Sequence, residues 1–394
     1  METIKLTIFD ETLRDGEQQV GIFFDDTDKS HLVNAIAQTG VQYLALMPAI
    51  HHSEKTLVKN LISDGFQQQI VASTMMGKHF INLSLECGVK TIILFHAISD
   101  RLLWLRDPEI RRHSDYQQKT IDDTIPPPLI AEIRQRMLDK VLANLQYAAN
   151  KGLKICFAAE DASRADFDFL VECISKFQPY IDHFLLCDTV GILNPETTKF
   201  WIRNLVEFSG DTSLVVHFHN DRGLALDNTI QALLAGATGI SGTFGGIGER
   251  AGNVALEQAI YGLKLRYGWE IEGINYDALH KVTKYLGKIG IRANNPYSPE
   301  AQRYETGIHV NSILRDRASY YVLPYGQPEI WFGKFSGASN FEYLFEHHLN
   351  RPLPKEKYQE FREIIKSIAI QQKCSFSAEE VLKILRQQEI LDFF

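Results

Sequence analysis

Short apolar runs alternate with longer amphipathic stretches from the start of the chain to Leu265. Eight of the runs are rich in Val, Ile, Leu and Phe, which predicts buried β-strands. The predicted strands cover residues 4–10, 41–47, 70–75, 89–95, 153–159, 181–187, 214–219 and 238–244. Helical patterns lie between them at 29–38, 53–63, 130–150, 167–177 and 224–235. Eight strand and helix alternations within about 250 residues favour an α/β fold, a (β/α)8 TIM barrel, with an open doubly wound sheet as the alternative.

The alternation ends near residue 269, so we predict a catalytic barrel at 1–269 and C-terminal subdomains at 270–394. A helical pattern at 276–289 opens the second part, and another begins at Ser339. We expect a linker or lid followed by a mostly helical appendage.

The barrel pattern has one long interruption, at residues 98–128. It carries a group of basic residues and three prolines, namely Arg101, Arg106, Arg111, Arg112, His113 and Pro126 to Pro128. Because it follows the fourth strand, it is expected at the catalytic face, where it is either a lid that contacts substrate or a solvated loop. Its arginines are candidates for binding a second anion.

Composition narrows the classes of protein that the chain can belong to. With 394 residues, of which 45% are apolar, it can build a large core. A net charge of -8 and scattered Lys and Arg argue against nucleic acid as a partner. The sequence contains neither a membrane-length apolar run nor a signal-peptide pattern, so we expect a cytoplasmic protein. Five cysteines without a CxxC motif suggest reduced, structural thiols.

Two histidines end the seventh predicted strand, in the segment Val216-His217-Phe218-His219. Alternate residues of a strand share one face, so both imidazoles are expected on the same side. Such a pair can bind one divalent ion through nitrogens at about 2.0 to 2.1 Å. The alternative is a pair of core histidines that bond to neighbouring groups.

Other polar residues also follow predicted strands, where a barrel carries its functional groups. Asp15 can supply a carboxylate to a metal site, and Arg14 beside it a cation for a developing oxyanion. Glu160 is either an acid at a helix start or an inward acid-base group. Thr189 is placed to bind a carboxylate, and Asn253 offers an oxygen to a metal or its water.

Taken together, six motifs resemble the DRE-TIM metallolyase superfamily, in its Claisen-condensing branch of homocitrate, 2-isopropylmalate and citramalate synthases. They are Thr12-Leu-Arg14-Asp15-Gly16-Glu17-Gln18, Glu160-Asp-Ala-Ser-Arg164, Asp188-Thr-Val-Gly191, His217-Phe-His-Asn-Asp221, Gly246-Ile-Gly-Glu-Arg-Ala-Gly-Asn253 and Glu305-Thr-Gly-Ile-His309. The resemblance implies a barrel enzyme that condenses acetyl-CoA with a 2-oxo acid and needs a divalent ion such as Zn, Mg or Mn.

The resemblance also implies roles for single residues. Metal ligands would be Asp15, His217 and His219, with Asn253 close by. Arg14 would polarise the ketone of the 2-oxo acid.

Substrate binding would further involve Thr189 and Gln18. His309, from the neighbouring subunit of a homodimer, would pair with Glu160 and take a proton from the methyl group of acetyl-CoA. Tyr320 would act near the same step, with Tyr321 as the alternative that the local alignment also permits.

Several positions depart from these relatives and leave the 2-oxo acid open. Cys156 stands where lysine-pathway homocitrate synthases carry an arginine, and Ala45 where a strand-two acid is common. Phe335 replaces the histidine of a Gly-Lys-His-Ser-Gly motif, and Asn311 replaces an aspartate. We rank a short homocitrate synthase first; 2-isopropylmalate, citramalate or phosphonomethylmalate synthesis are alternatives.

Rival classes on the same barrel are a 3-hydroxy-3-methylglutaryl-CoA lyase or aldolase, a non-haem iron oxygenase and a barrel that has lost activity. The lyases carry a cysteine loop near the barrel's end, yet this chain has no cysteine between Cys187 and Cys374. An oxygenase would need neither Arg14 nor His309, and retention of every metal ligand argues against an inactive barrel.

Overall fold

Eight parallel strands close into a barrel in this computed structural model, which describes residues 2–113, 124–321, 323 and 326–387. The strands are β2 (Thr7–Asp10), β3 (Tyr43–Leu46), β4 (Ile70–Met75), β5 (Thr91–Ala97), β6 (Lys154–Glu160), β7 (His183–Asp188), β8 (Ser213–Phe218) and β9 (Gly239–Gly242). Strand β9 pairs with β2, which closes the sheet. The predicted TIM barrel is thereby confirmed, and the open sheet is excluded. The first predicted strand is split, since β1 (Glu2–Ile4) pairs outside the barrel with β10 (Trp269–Ile271).

Helices connect the strands as the pattern predicted. Within the barrel they are α1 (Asp26–Ala37), α2 (His52–Ser63), α3 (Lys78–Glu86), α4 (Asp100–Arg106), α5 (Pro108–His113), α6 (Pro127–Asn150), α7 (Phe167–Phe177), α8 (Pro195–Val206), α9 (Ala225–Leu234) and α10 (Leu256–Tyr267). Local sequence explains their starts: the Asp25 side chain accepts from the backbone N–H of Asp28 and caps α1, and Asn194 caps α8 in the same way. In the interruption at 98–128, α4 and α5 form, while 114–123 lie outside the described residues.

The C-terminal region is mostly helical. It consists of α11 (Tyr276–Lys288), β11 (Arg303–Tyr304), α12 (Gly307–Ile313), β12 (Glu329–Ile330), α13 (Ala338–Glu342), a π-helical turn (Tyr343–His348), α14 (Lys355–Gln372) and α15 (Ala378–Gln387). This agrees with the predicted helical appendage. In the part of the chain that the structure describes, no helix is long and apolar enough to cross a membrane.

A layer of apolar side chains fills the lower half of the barrel interior. Phe9, Val71, Cys156, Leu185 and Val215 belong to it, and each is at most 2% exposed. Because protein interiors pack closely, this layer supports the polar groups at the carboxyl ends of the strands and closes the barrel beneath them. All five cysteines are free, as predicted.

Four buried charges join the C-terminal region to the barrel. Lys334 Nζ lies 2.9 Å from Glu17 Oε2 and 2.7 Å from Glu54 Oε1, and Lys29 Nζ lies 3.0 Å and 2.5 Å from the same two oxygens. We call this group the charge quartet. Buried charges are tolerated when each faces an opposite charge, and two ammonium groups here balance two carboxylates. The quartet therefore fixes the segment around Lys334 above its own barrel.

Candidate active site

Three metal-ligand side chains converge at the mouth of the barrel. His217 is the last but one residue of β8, and His219 follows the strand with its ring beside that of His217, as predicted from their spacing. Their Nε2 atoms lie 3.4 Å apart, and each is 3.9 Å from Asp15 Oδ2. The donor atoms of the three residues lie within 4.8 Å of one another, which is the geometry that one ion requires.

The protonation states of these residues also suit a cation. Burial lowers the pKa of His217 to about 4 and that of His219 well below its ordinary value. Burial alone would raise the pKa of Asp15, but the neighbouring His219 and Arg14 hold it below its usual range. At neutral pH the imidazoles are therefore uncharged and the carboxylate is ionised, as ligands must be.

Asn253 contacts Asp15 instead of facing the histidines directly. Its Nδ2 donates to Asp15 Oδ1 over 2.8 Å, and its Oδ1 is buried without a hydrogen bond among the described residues. Gly248 makes this contact possible, because a Cβ there would lie 2.1 Å from Asn253 Nδ2 and 2.7 Å from Asp15 Oδ1. Asn253 thus orients the Asp15 carboxylate, and the Asn253 amide oxygen remains without a hydrogen bond among the described residues.

A cavity of about 570 Å³ opens above these residues. Arg14, Gln18 and Thr189 all line it, as expected of substrate-binding groups. The Arg14 Nη1 atom donates to Asp15 Oδ2 over 2.8 Å. The Thr189 hydroxyl oxygen accepts from the Asp161 backbone N–H over 2.8 Å, so its proton is free to be donated to a carboxylate in the cavity.

Glu160 has a different partner from the one expected. Both of its carboxylate oxygens accept from the Arg106 guanidinium, at 2.5 Å and 2.7 Å, and one also accepts from the Tyr320 hydroxyl. Burial raises the pKa of Glu160, but the charge and hydrogen bonds of Arg106 outweigh it and lower the pKa to about 2. An ionised carboxylate held by an arginine is a poor proton acceptor, and the expected catalytic role of Glu160 stays a prediction.

His309 lies over the barrel of its own chain, and its expected contribution from a partner subunit stays a prediction. Its Nδ1 is 2.5 Å from Glu249 Oε2, and its ring stacks on Tyr320 with centroids 4.0 Å apart. Within the described part of this one chain His309 and Glu160 are not in direct contact, and their expected pairing across subunits stays a prediction. Instead Tyr320 bridges the two residues by contacting both. His309 lines the cavity, as a base for a bound substrate should.

Sequence reasoning missed the roles of Arg106, Glu249 and Glu11. Arg106 was identified only as one of several basic residues in segment 98–128. Glu249 was identified only as one position of the motif at 246–253. Glu11 adjoins the first motif, is 4% exposed and lines the cavity. Burial raises its pKa to about 7. A carboxylate directly after a buried strand was the available signal for Glu11.

The remaining walls of the cavity are apolar on the barrel side and cationic on the C-terminal side. Met47, Met75 and Phe95 line the barrel side. Arg362 and Lys366 of α14 line the other side, and Lys366 Nζ donates to the Ile50 carbonyl over 3.0 Å. The cavity can therefore hold a small oxo acid near Arg14 and a larger anionic molecule towards α14.

Fold and site together define a (β/α)8-barrel protein with a His, His and Asp group whose geometry suits a metal ion, beside a cavity lined in part by arginine and lysine side chains. The family model described as HMGL-like matches residues 5–125 and 130–285, and the chain belongs to this family.

Comparison with curated proteins and solved structures agrees with this family. A homocitrate synthase AksA of Methanothermobacter thermautotrophicus is 31% identical over 343 residues, which are 84% of this chain and 81% of that protein. A 2-isopropylmalate synthase of Sulfurisphaera tokodaii is 30% identical, covering 92% of this chain and 90% of its own. The crystal structure of an HMG-CoA lyase from Brucella melitensis has a TM-score of 0.54 at 18% identity, over 73% of this chain and 99% of that one. The last likeness concerns the fold alone.

Proposed function

We propose that this chain is an acyltransferase that condenses acetyl-CoA with a 2-oxo acid and depends on a divalent metal ion. The observation that carries the proposal is the meeting of Asp15, His217 and His219 in a cavity that Arg14 and His309 also line. Similarity to homocitrate and 2-isopropylmalate synthases supports the same reaction class.

The 2-oxo acid would bind at the barrel mouth. A divalent cation held by Asp15 and the two histidines would draw electron density from the keto group. Arg14 lies beside Asp15 and supplies a fixed positive charge for the oxygen that becomes an alkoxide. Thr189 donates its free hydroxyl proton to the carboxylate of the substrate.

The acetyl thioester would bind between the barrel and the C-terminal region. His309 takes a proton from the methyl carbon, and that carbon then forms a bond to the keto carbon of the 2-oxo acid. The keto oxygen ends as a hydroxyl group after it gains a proton. Water then cleaves the thioester, which releases CoA and a 2-hydroxy-2-alkyl diacid or triacid. Glu249 holds the His309 ring, and the stacked Tyr320 keeps it over the cavity.

The side chains that line the cavity determine which 2-oxo acid can bind. Homocitrate synthesis from 2-oxoglutarate ranks first, with 2-isopropylmalate, citramalate or phosphonomethylmalate synthesis as alternatives. Cys156 is buried beneath the cavity and supplies no charge for a distal carboxylate, so Arg362 or Lys366 would have to bind it. We further propose a cytoplasmic homodimer.

Release of CoA thiol tests the proposal directly. The protein is incubated with acetyl-CoA, a panel of 2-oxo acids and Zn, Mg or Mn, and a chelator is added to a parallel sample. We expect thiol release with at least one 2-oxo acid and its loss with the chelator. Absence of release across the panel, or cleavage of 3-hydroxy-3-methylglutaryl-CoA instead, would contradict synthesis and favour the lyase alternative.

A further inference from the structure

Glu11 is a buried carboxylate for which the proposed mechanism gives no role. It follows β2 directly, is 4% exposed and lines the cavity. Its Oε2 atom makes no hydrogen bond within the described ranges, and the nearest cation, Arg14 Nε, is 3.6 Å away. Burial of a carboxylate without a close counter-charge is costly, so a purely structural role would be better served by an uncharged residue.

Glu11 reaches the metal-ligand group through Ser241 on the neighbouring strand β9. The Glu11 carboxylate interacts with the Ser241 side chain, and the Ser241 hydroxyl lies 3.0 Å from His217 Nδ1. An ionised Glu11 can only accept, so in that state the Ser241 hydroxyl donates to it. The Ser241 oxygen then accepts from a protonated His217 Nδ1, which leaves Nε2 with its lone pair towards Asp15 and His219. This chain of hydrogen bonds selects the tautomer that binds a metal.

Glu11 also acts on Arg14 from the opposite side to Asp15. The guanidinium is 3.6 Å from Glu11 through Nε and 2.8 Å from Asp15 through Nη1. Two carboxylates on different edges restrict the rotation of a planar guanidinium more than one does. The substrate-facing edge of Arg14 is therefore held towards the cavity.

We propose that Glu11 is a positioning residue that fixes the metal-binding tautomer of His217 through Ser241 and the orientation of Arg14. The proposal rests on the proposed function, because both groups belong to that site. It adds two residues, Glu11 and Ser241, that surround the reacting groups without touching substrate.

Metal affinity of the metal-free protein provides the test, measured by calorimetric titration with Zn or Mn and without either substrate. Loss of a hydrogen-bonded group behind a ligand typically weakens binding about 10- to 100-fold. We expect this loss for Glu11→Leu, which removes the acceptor, and for Ser241→Ala. The double variant should be no weaker than either single variant, because both break one chain of hydrogen bonds.

Glu257→Leu is the matched control. Glu257 is a largely buried carboxylate of the same barrel whose Oε2 accepts from the Gly245 N–H, away from His217 and Arg14. It should change the melting temperature without changing metal affinity. Glu11→Leu should also raise the KM for the 2-oxo acid through Arg14, whereas Ser241→Ala should affect the KM less.

Two results would overturn the proposal. One is metal affinity within about twofold of wild type for Glu11→Leu, and the other is full additivity in the double variant. The readout is independent of the reaction class: a wild type that binds the ion but condenses no 2-oxo acid would contradict the proposed function, while the effect of Glu11 on affinity would still be measured.

Discussion

His217 and His219 face each other with their Nε2 atoms 3.4 Å apart, and both rings are buried. Two lone pairs at this distance repel, and two protonated rings would repel more strongly. A cation that both lone pairs bind removes the repulsion between the two neutral rings. We therefore expect a bound ion to stabilise the observed arrangement of His217 and His219.

Replacement of either histidine tests this directly. His217→Ala and His219→Ala should abolish both metal binding and turnover, since two ligands remain where three are needed. A ligand that binds only the folded state raises the melting temperature, so added Zn or Mn should stabilise wild type and not the variants. His183→Ala is the control, because His183 begins β7 at the other end of the barrel and should keep the metal response. A variant at 217 or 219 that keeps full metal affinity would refute the ligand assignment.

Removal of the His309 imidazole should separate binding from chemistry. His309→Ala is expected to retain the affinity for metal and 2-oxo acid while kcat falls about 10²- to 10⁴-fold, the usual contribution of a general base. Steady-state kinetics and calorimetry measure the two effects. His280→Ala, on the exposed face of α11, should behave as wild type. Unchanged kcat in His309→Ala would exclude this residue from the proton transfer.

Mixed variants test whether the site is built from one chain. In the structure Arg14 and His309 of the same chain line one cavity, so a mixture of Arg14→Ala and His309→Ala proteins should stay inactive. Thiol release after co-refolding of the two proteins measures this, with wild type diluted into either variant as the reference. Recovery towards a quarter of wild-type activity would contradict the arrangement within one chain and favour His309 from a partner subunit.

The ion pair between Arg106 and Glu160 should contribute strongly to stability. Arg106→Leu leaves a buried carboxylate without its cation, which costs roughly 3–5 kcal/mol. Arg136→Leu is the control, since its exposed pairs with Asp107 and Glu109 should change stability by about 1 kcal/mol or less. Chemical denaturation compares the two variants.

The contribution of the Arg106–Glu160 ion pair to the free energy of unfolding should depend on pH. Because the folded-state pKa of Glu160 is lowered from 4.5 to about 2, its contribution is present above pH 4.5 and is lost as pH falls towards 2. The stability difference between wild type and Arg106→Leu should shrink over this interval. A difference that is constant from pH 6 to pH 3 would contradict the assignment.

The sequence predicted the barrel and the metal-ligand group because both depend on local patterns. Buried strands appear as apolar runs, and in a closed parallel barrel their carboxyl ends meet on one face, so Asp15 and His217 could be brought together without coordinates. Contacts between segments that are distant in sequence do not produce a local pattern of this kind. Arg106, Glu160 and Tyr320 come from three separate parts of the chain, and only their packing made Glu160 a partner of arginine. The pairing of His309 with Glu249 was likewise a matter of how the C-terminal region lies on the barrel.

The charge quartet restricts how barrels and C-terminal regions can be exchanged between relatives. A chimera that joins this barrel to a foreign C-terminal region needs an ammonium group where Lys334 stands. Without it, Glu17 and Glu54 would share Lys29 alone and leave one uncompensated negative charge in the interior. Such a graft should fail to dock, whatever the quality of its other contacts, and a single lysine should rescue it.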